Sequence, residues 1–235
     1  MKQVGRYQIV EELGRGAMGV VYKALDPAIG RTVAIKTIRL SDLTDSEERR
    51  RVHERLLREA QAAGMLSHPN IVTIYDVLEE QDFAYVFMEY VNGSSLERML
   101  QAKTLPDRTH LLNYLRQVAA ALDYAHRKGI VHRDIKPANI IIAEGASGVE
   151  RIAKIADFGV AKFVSQDMTH SGSMIGTPNY MSPEQIQGMT VDGRCDQFSL
   201  AVLVYELLSG EKPFSGDNLA ALFYAICKHE PKPAH

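Results

Sequence analysis

The sequence predicts an α+β fold in two lobes: an N-terminal five-stranded antiparallel sheet with one long helix over residues 1–91, and a mainly helical lobe over 92–235. Three observations predict it. Segments rich in β-branched and aromatic residues, parted by glycine and proline breaks, crowd the chain up to residue 90. One long helical stretch interrupts them. Beyond residue 95 the apolar spacing becomes that of a helix.

Taken in order, "YQIVEELGRG", "GVVYKALD" and "RTVAIKTIRL" read as three antiparallel strands. The next stretch, "TDSEERRRVHERLLREAQAAGMLSHP", opens with Thr44 three residues before Glu47, a capping-box spacing, and is predicted to stay helical until His68-Pro69 stops it. Its charged first half reads as a solvated face. "NIVTIYDVL" and "FAYVFMEYV" supply the fourth and fifth strands, and the lobe boundary falls near residues 90–95. After "NGSS", the residues Leu111, Leu112, Leu115, Val118, Ala119, Leu122 and Ala125 recur at helical spacing, and Gly129 ends the run as a left-handed cap. "NIIIA" and "RIAKIA" flank the hydrophilic "EGASGVE" as a hairpin does. Helices around Asp196–Ser209 and Leu219–Lys228 complete the chain.

With 235 residues the chain is long enough to bury a substantial core. Its 46% apolar and 24% charged residues exclude intrinsic disorder. A net charge of −2 argues against a nucleic-acid partner, because a surface that tracks phosphates leaves a basic excess. The N-terminus has no apolar leader, and the longest apolar run, "LAVLVY" at 200–205, is far short of a bilayer span. No membrane contact by this segment and a cytoplasmic location are expected. Cys195 and Cys227 lack metal spacing and read as free thiols in a reducing compartment. The histidines show no zinc-helix spacing.

Three stretches carry chemistry. In "LGRGAMGVVYKA", which starts at Leu13, Gly14, Gly16 and Gly19 fit G-x-G-x-x-G, and such glycines let backbone amides approach phosphate oxygens. The same spacing marks dinucleotide-binding folds, but there the glycine turn opens a helix, whereas "GVVYKALD" continues as a strand. The glycines therefore belong to a strand-turn-strand hairpin. In "VAIK", Lys36 takes the polar position of an apolar strand. It is either the solvent-facing member of an alternating pair or a buried cation that needs a partner, and Glu59 on the long helix can serve. Finally "HRDIKPAN" (132–139) places Asp134, Lys136 and Asn139 within a few residues, a pattern that suits a structured loop rather than a helix or strand face.

With "DFG" at 157–159 and "SPE" at 182–184, the set resembles the eukaryotic-type protein serine/threonine kinases, most of all the bacterial receptor-type members. The motifs stand in family order over nearly the whole chain. The resemblance implies a protein-kinase-like fold and transfer of the γ-phosphoryl group of ATP, with Mg2+, to Ser or Thr hydroxyls of protein substrates. It implies that the glycine loop covers the phosphates, that Lys36 contacts them and that Glu59 holds Lys36. Asp134 is then the base, Lys136 a phosphate counter-charge, and Asn139 and Asp157 the metal ligands. Leu13, Val21 and Ala34 line the adenine site, Met88 guards its back, and Glu89, Tyr90 and Val91 form the hinge. His132 is implied to be a packed structural histidine. Lys136 and "GTPNYMSPE", with Thr177, point to the serine/threonine branch.

The hydroxyl-rich stretch after Gly159 and the arginine Arg133 before Asp134 suggest autophosphorylation at Thr169, Ser171 or Ser173, for which a homodimer is one route. Departures from the family are Phe198 for tryptophan and Ala201 for glycine in "DQFSLA", a hydrophilic insertion at Ala143–Glu150, and an end at "HEPKPAH". That end suggests a helical lobe truncated at its C-terminal side and a longer parent protein, of which a membrane-anchored one with this cytoplasmic domain is one form, with Glu184 lacking its usual arginine because Arg194 stands too early. Two rival readings are a kinase-like binding module with little turnover and, on the glycines alone, a nicotinamide enzyme.

Overall fold

The computed structural model describes residues 3–16, 19–39, 46–80, 83–145, 151–158 and 178–233. The chain divides into two compact units. One holds the residues up to Ser67 with Val72–Asn92, and the other holds His68–Ile71, Gly93–Phe158 and the described residues after 177.

The first unit is a single antiparallel sheet with a helix. Its strands are β1 (Gln3–Val4), β2 (Tyr7–Gly16), β3 (Gly19–Asp26), β4 (Arg31–Arg39), β5 (Ile74–Glu80) and β6 (Phe83–Glu89), in the order β1-β2-β3-β4-β6-β5. The five expected strands are all present, and the two-residue β1 makes a sixth by pairing Val4 with Tyr7. Two residues carry no readable alternation, so the sequence alone gives no sign of it. Helix α1 (Ser46–Gly64) packs along β5. It ends before the expected stop at His68: Met65 and Leu66 donate to Ala62 and Ala63 in a tightened last turn, and Leu66 is buried. Thr44, the expected cap, lies outside the described residues.

β4 is buried on both faces from Val33 to Ile38. One face carries Val33 and Ile35, which pack with Val4, Tyr7, Ala24, Tyr85 and Phe87 into an apolar cluster. Tyr7 and Phe87 meet there with ring centroids 4.3 Å apart. The opposite face carries Ala34 and Lys36, and it is this face that bears on function.

The second unit begins with a short sheet, β7 (Gly93–Ser95), β8 (Ile140–Ala143) and β9 (Ile152–Ile155). The hairpin expected from "NIIIA" and "RIAKIA" is present as β8 and β9, whereas "NGSS" is itself a strand, not merely a boundary. Gly93 is required there, because a Cβ would stand 2.2 Å from the Ile142 carbonyl oxygen. Residues 146–150 of the insertion lie outside the described residues. Helix α2 (Leu96–Ala102) follows, capped by the Ser95 hydroxyl.

Helix α3 (Arg108–Arg127) starts at Asp107, whose carboxylate accepts from the Thr109 and His110 amides. Its buried stripe is Leu111, Tyr114, Leu115, Val118, Ala121, Leu122 and Ala125. Leu112 and Ala119, expected in that stripe, turn outward, Leu112 being 46% exposed. A rotation of 100° per residue selects Tyr114 and Ala121 instead. Gly129, at φ +75°, supplies the expected left-handed cap. Among the described residues, helices α4 (Pro183–Ile186), α5 (Gly193–Ser209) and α6 (Leu219–Lys228) come next. Helix α5 runs unbroken through Phe198 and Ala201, and Phe198 stacks on Phe214 at 6.0 Å. Cys195 and Cys227 are free thiols. Among the described residues no helix is long and apolar enough to cross a membrane.

Candidate active site

The candidate residues fall into two sets, one in each unit. In the first unit strand register gathers them. Directly opposed residues share a face of a sheet, as do residues two apart on one strand. Gly14 pairs with Val21, Val21 with Lys36, and Lys36 with Val86. One step along, Lys23 pairs with Ala34 and Ala34 with Met88. Val21, Ala34, Lys36 and Met88 thus present their side chains on one face. Ala34, Met88 and Lys36 are 7%, 6% and 8% exposed, so Lys36 is a buried lysine and not the solvent-facing member of a pair. Leu13 sits at the β2–β3 register shift between Glu12 and Gly14. Glu59 is half-buried on α1, with its Oε2 oxygen buried.

The three glycines differ. Around Gly14 and Gly16 no atom lies within 4 Å of the position a Cβ would take, whereas at Gly19, φ +146°, a Cβ would fall 1.8 Å from the Thr37 carbonyl oxygen. Gly19 is therefore demanded by the fold itself, and the space at Gly14 and Gly16 is open. At the end of β6 the Glu89 amide donates to the Thr73 carbonyl at 2.9 Å, and Tyr90 lies under the Lys23 ammonium, 4.7 Å from its ring centroid. Val91 follows, half-buried.

In the second unit the loop 132–139 is drawn into a tight cluster. The Lys136 ammonium lies 2.8 Å from the Asp134 carboxylate. Asn139, in the 3-10 turn Pro137–Asn139, donates through Nδ2 to the Asp134 carbonyl at 2.7 Å and to its carboxylate at 3.0 Å. Its own carbonyl accepts from Ala156 at 2.9 Å, which ties the loop to the residue before Asp157. Asp157 and Arg133 adopt left-handed backbone at φ +63° and +68°, a cost of about 1 kcal/mol or more each that surrounding bonds must offset. His132 is buried at 1% exposure, donates from Nε2 to the Ala156 carbonyl 2.8 Å away, accepts from the Asp134 amide at Nδ1, and meets Phe158 edge-on at 4.6 Å. It is the packed residue the sequence suggests. Gly159, Thr169, Ser171, Ser173 and Thr177 lie outside the described residues.

The residue that sequence reasoning passed over is Asp196. It is fully buried in the first turn of α5 and accepts bonds from the His132 amide at 2.8 Å, the Arg133 amide at 2.6 Å and the His126 ring at 2.7 Å, with a weaker one from the Cys195 thiol at 3.7 Å. Burial pushes its carboxyl up, but the His126 bond, the nearby His132 and the two amides outweigh that and hold it below the usual range. Asp196 therefore fixes the strained start of the 132–139 loop. Gln185 adds a bond to the Arg133 carbonyl at 2.8 Å. A carboxylate in a first helical turn reads locally as a dipole partner, and nothing near it in sequence shows that its donors lie over sixty residues upstream. Arg194, considered for Glu184, is bound by Asp192 at 2.9 Å and senses Glu184 only through space.

One unit thus carries a glycine hairpin and a buried strand lysine, the other an aspartate, lysine and asparagine cinched into one loop, and the chain belongs to the protein kinase family. The profile of that family, described as "Protein kinase domain", matches residues 7–232. The chain is similar to a probable serine/threonine-protein kinase of Streptomyces coelicolor, 42% identical over 97% of this chain and 34% of the relative. It is also similar to the serine/threonine-protein kinases PrkC of Bacillus subtilis, 41% identical over 93% and 32%, and PknB of Mycobacterium tuberculosis, 36% identical over 97% and 36%. It thus spans about a third of the length of the curated relatives it matches.

Proposed function

We propose that this chain is the catalytic domain of a protein serine/threonine kinase, which moves the γ-phosphoryl group of Mg-ATP to Ser or Thr hydroxyls of proteins. The observation that carries this reading is the bonded cluster of Asp134, Lys136 and Asn139. Phosphoryl transfer has a loose transition state and needs positioning and charge neutralisation more than covalent help. Asp134 accepts the proton of the attacking hydroxyl, and Lys136, already 2.8 Å away, counters charge on the transferred group. On the sheet face of the other unit, Lys36 binds the α- and β-phosphates, and Glu59 orients it. Gly14 and Gly16 leave room for the phosphates, while Val21, Ala34 and Leu13 pack on the base beside Met88. The Glu89 carbonyl and the Val91 amide read the adenine edge, beside the Glu89 amide that is bound to Thr73.

The donor set also fits Mg2+. Asn139 spends its amide nitrogen on Asp134, so its side-chain oxygen is the atom left for a metal, and Asp157 adds a carboxylate. Among the described residues no group of three His, Cys, Asp or Glu could hold a metal alone. Two protein oxygens with phosphates and waters are what Mg2+ takes, and the ion, when bound, neutralises charge between the β- and γ-phosphates.

Protein substrates, autophosphorylation at Thr169, Ser171 or Ser173 through a homodimer, and a cytoplasmic location belong to the same proposal. Free Cys195 and Cys227 suit a reducing compartment. The test is transfer of labelled phosphate to a basic protein, followed by phosphoamino-acid analysis and mass spectrometry of residues 159–177. Phosphoserine or phosphothreonine is expected, with Asp134→Asn lowering the rate by about 10²–10⁴-fold. Equal rates in that variant, or phosphotyrosine alone, would refute the reading.

A further inference from the structure

Regular pairing of β3 with β4 runs from Asp26 and Arg31 to Val21 and Lys36 and stops there. The next opposed residues, Val20 and Thr37, are joined by a side chain instead. The Val20 amide donates to the Thr37 Oγ1 at 2.9 Å, and the Thr37 hydroxyl donates to the Val20 carbonyl at 3.1 Å. One hydroxyl, a donor and an acceptor at once, thus satisfies both main-chain groups of one residue. Val20 and Thr37 are 8% and 7% exposed, so water has little access to replace those bonds. Directly beside the pin, Gly19 passes so close to the Thr37 carbonyl that only a residue without a Cβ fits. Thr37 therefore holds residue 20 through its side chain, while its carbonyl lies against residue 19.

The neighbours of this contact give it a consequence. Thr37 follows Lys36, and Val20 lies between Gly19 of the glycine hairpin and Val21; Lys36 and Val21 are placed at the nucleotide in the proposed function. We infer that Thr37 is a positioning residue for that nucleotide: its hydroxyl keeps the returning arm of the glycine hairpin in register with Lys36, so that hairpin amides and lysine ammonium are presented to the triphosphate together. The side chain of Thr37 points to the sheet face opposite Lys36 and does not touch the nucleotide itself. This inference rests on the kinase reading only for the identity of the ligand.

Thr37→Val keeps the shape and removes the hydroxyl, and Thr37→Ser keeps the hydroxyl. Both are made in the whole chain and compared with wild type by amide hydrogen exchange without nucleotide, by calorimetric binding of Mg-ADP, and by KM for ATP and for an acceptor peptide. In Thr37→Val the Val20 amide should exchange at least about tenfold faster, and Kd and KM for nucleotide should rise about five- to tenfold, as loss of one buried bond pair implies. KM for the acceptor should not move, and Thr37→Ser should stay within about twofold of wild type on every readout. Unchanged nucleotide affinity in Thr37→Val, with only a lower melting temperature, overturns the positioning role. Should Thr37→Val fail to fold, the serine variant decides: wild-type affinity with lost Val20 protection overturns the inference, and retained protection with wild-type affinity upholds it. A wild-type chain that binds no nucleotide refutes the functional reading, while the exchange of the Val20 amide still judges the pin.

Discussion

Replacing Asp196 by alanine strikes the one carboxylate on which the start of the 132–139 loop hangs. It is fully buried and takes bonds from two backbone amides and the His126 ring at 2.6–2.8 Å. A hydrogen bond to a charged acceptor contributes roughly 1.5–3 kcal/mol net, and removing one member of a buried charged network costs about 3–5 kcal/mol, because the remaining polar groups stay buried without partners. For a chain of this size each kcal/mol lowers the melting temperature by about 2–4 °C, so a fall of roughly 6–20 °C is expected by calorimetry. Phosphotransfer should drop as well, even well below the new melting point. Arg133 at φ +68° is held in that conformation by its bond to Asp196, and its relaxation displaces the adjoining Asp134. Asp196→Asn keeps the volume and one acceptor oxygen but turns an amide N–H toward a donor, and it should fall between wild type and alanine. An alanine variant that melts within about 2 °C of wild type and retains full turnover would refute the anchoring argument.

The glycines separate fold from ligand. Gly19→Ala should destabilise the chain by more than about 1 kcal/mol in urea melts, given its φ and the carbonyl in the way, whereas Gly14→Ala and Gly16→Ala should melt like wild type and alter only nucleotide affinity. Asn70 donates to Gln117 at 2.9 Å and to the Ala153 carbonyl at 2.7 Å, so Asn70→Ala should cost about 1–3 kcal/mol in the same assay. Stability should fall in acid. Bonds from Arg6 hold Asp26 low, the His110 amide and ring hold Asp107 low, and the Arg194 side chain holds Asp192 low. With Asp196, these carboxyls are held below their ordinary values when folded, so the unfolded chain binds more protons in acid, and the melting temperature should decline as pH falls through the ordinary carboxylate range, about 4. Burial, with Lys154 nearby, depresses His68, whose Nδ1 accepts from the Asn70 amide. The unfolded imidazole therefore takes up its proton first below about pH 6.5, and His68→Asn should flatten the melting curve between pH 6.5 and 5 relative to wild type.

What the sequence made legible, and what it withheld, divides by the range of the forces involved. Strands β2–β6, helix α3 and the hairpin β8–β9 could be read because alternation and helical spacing are local consequences of burying one face. That Asp134, Lys136 and Asn139 cluster could be anticipated because all three lie in one short loop. The end of α1 could not be read from His68-Pro69, because the earlier exit follows from the burial of Leu66. Leu112 was expected inward since leucine is apolar, yet the angle of the helix against its neighbours places Tyr114 there instead. Asp196 and Thr37 are the sharper cases. Each is one polar residue in an apolar element, and its donors or acceptors become neighbours only when strand register or a helix contact is formed. In both, the chemistry-bearing residues are recognisable by type and order, while the residues that hold them in place are chosen by register, and register is a property of the folded chain rather than of any short stretch of it.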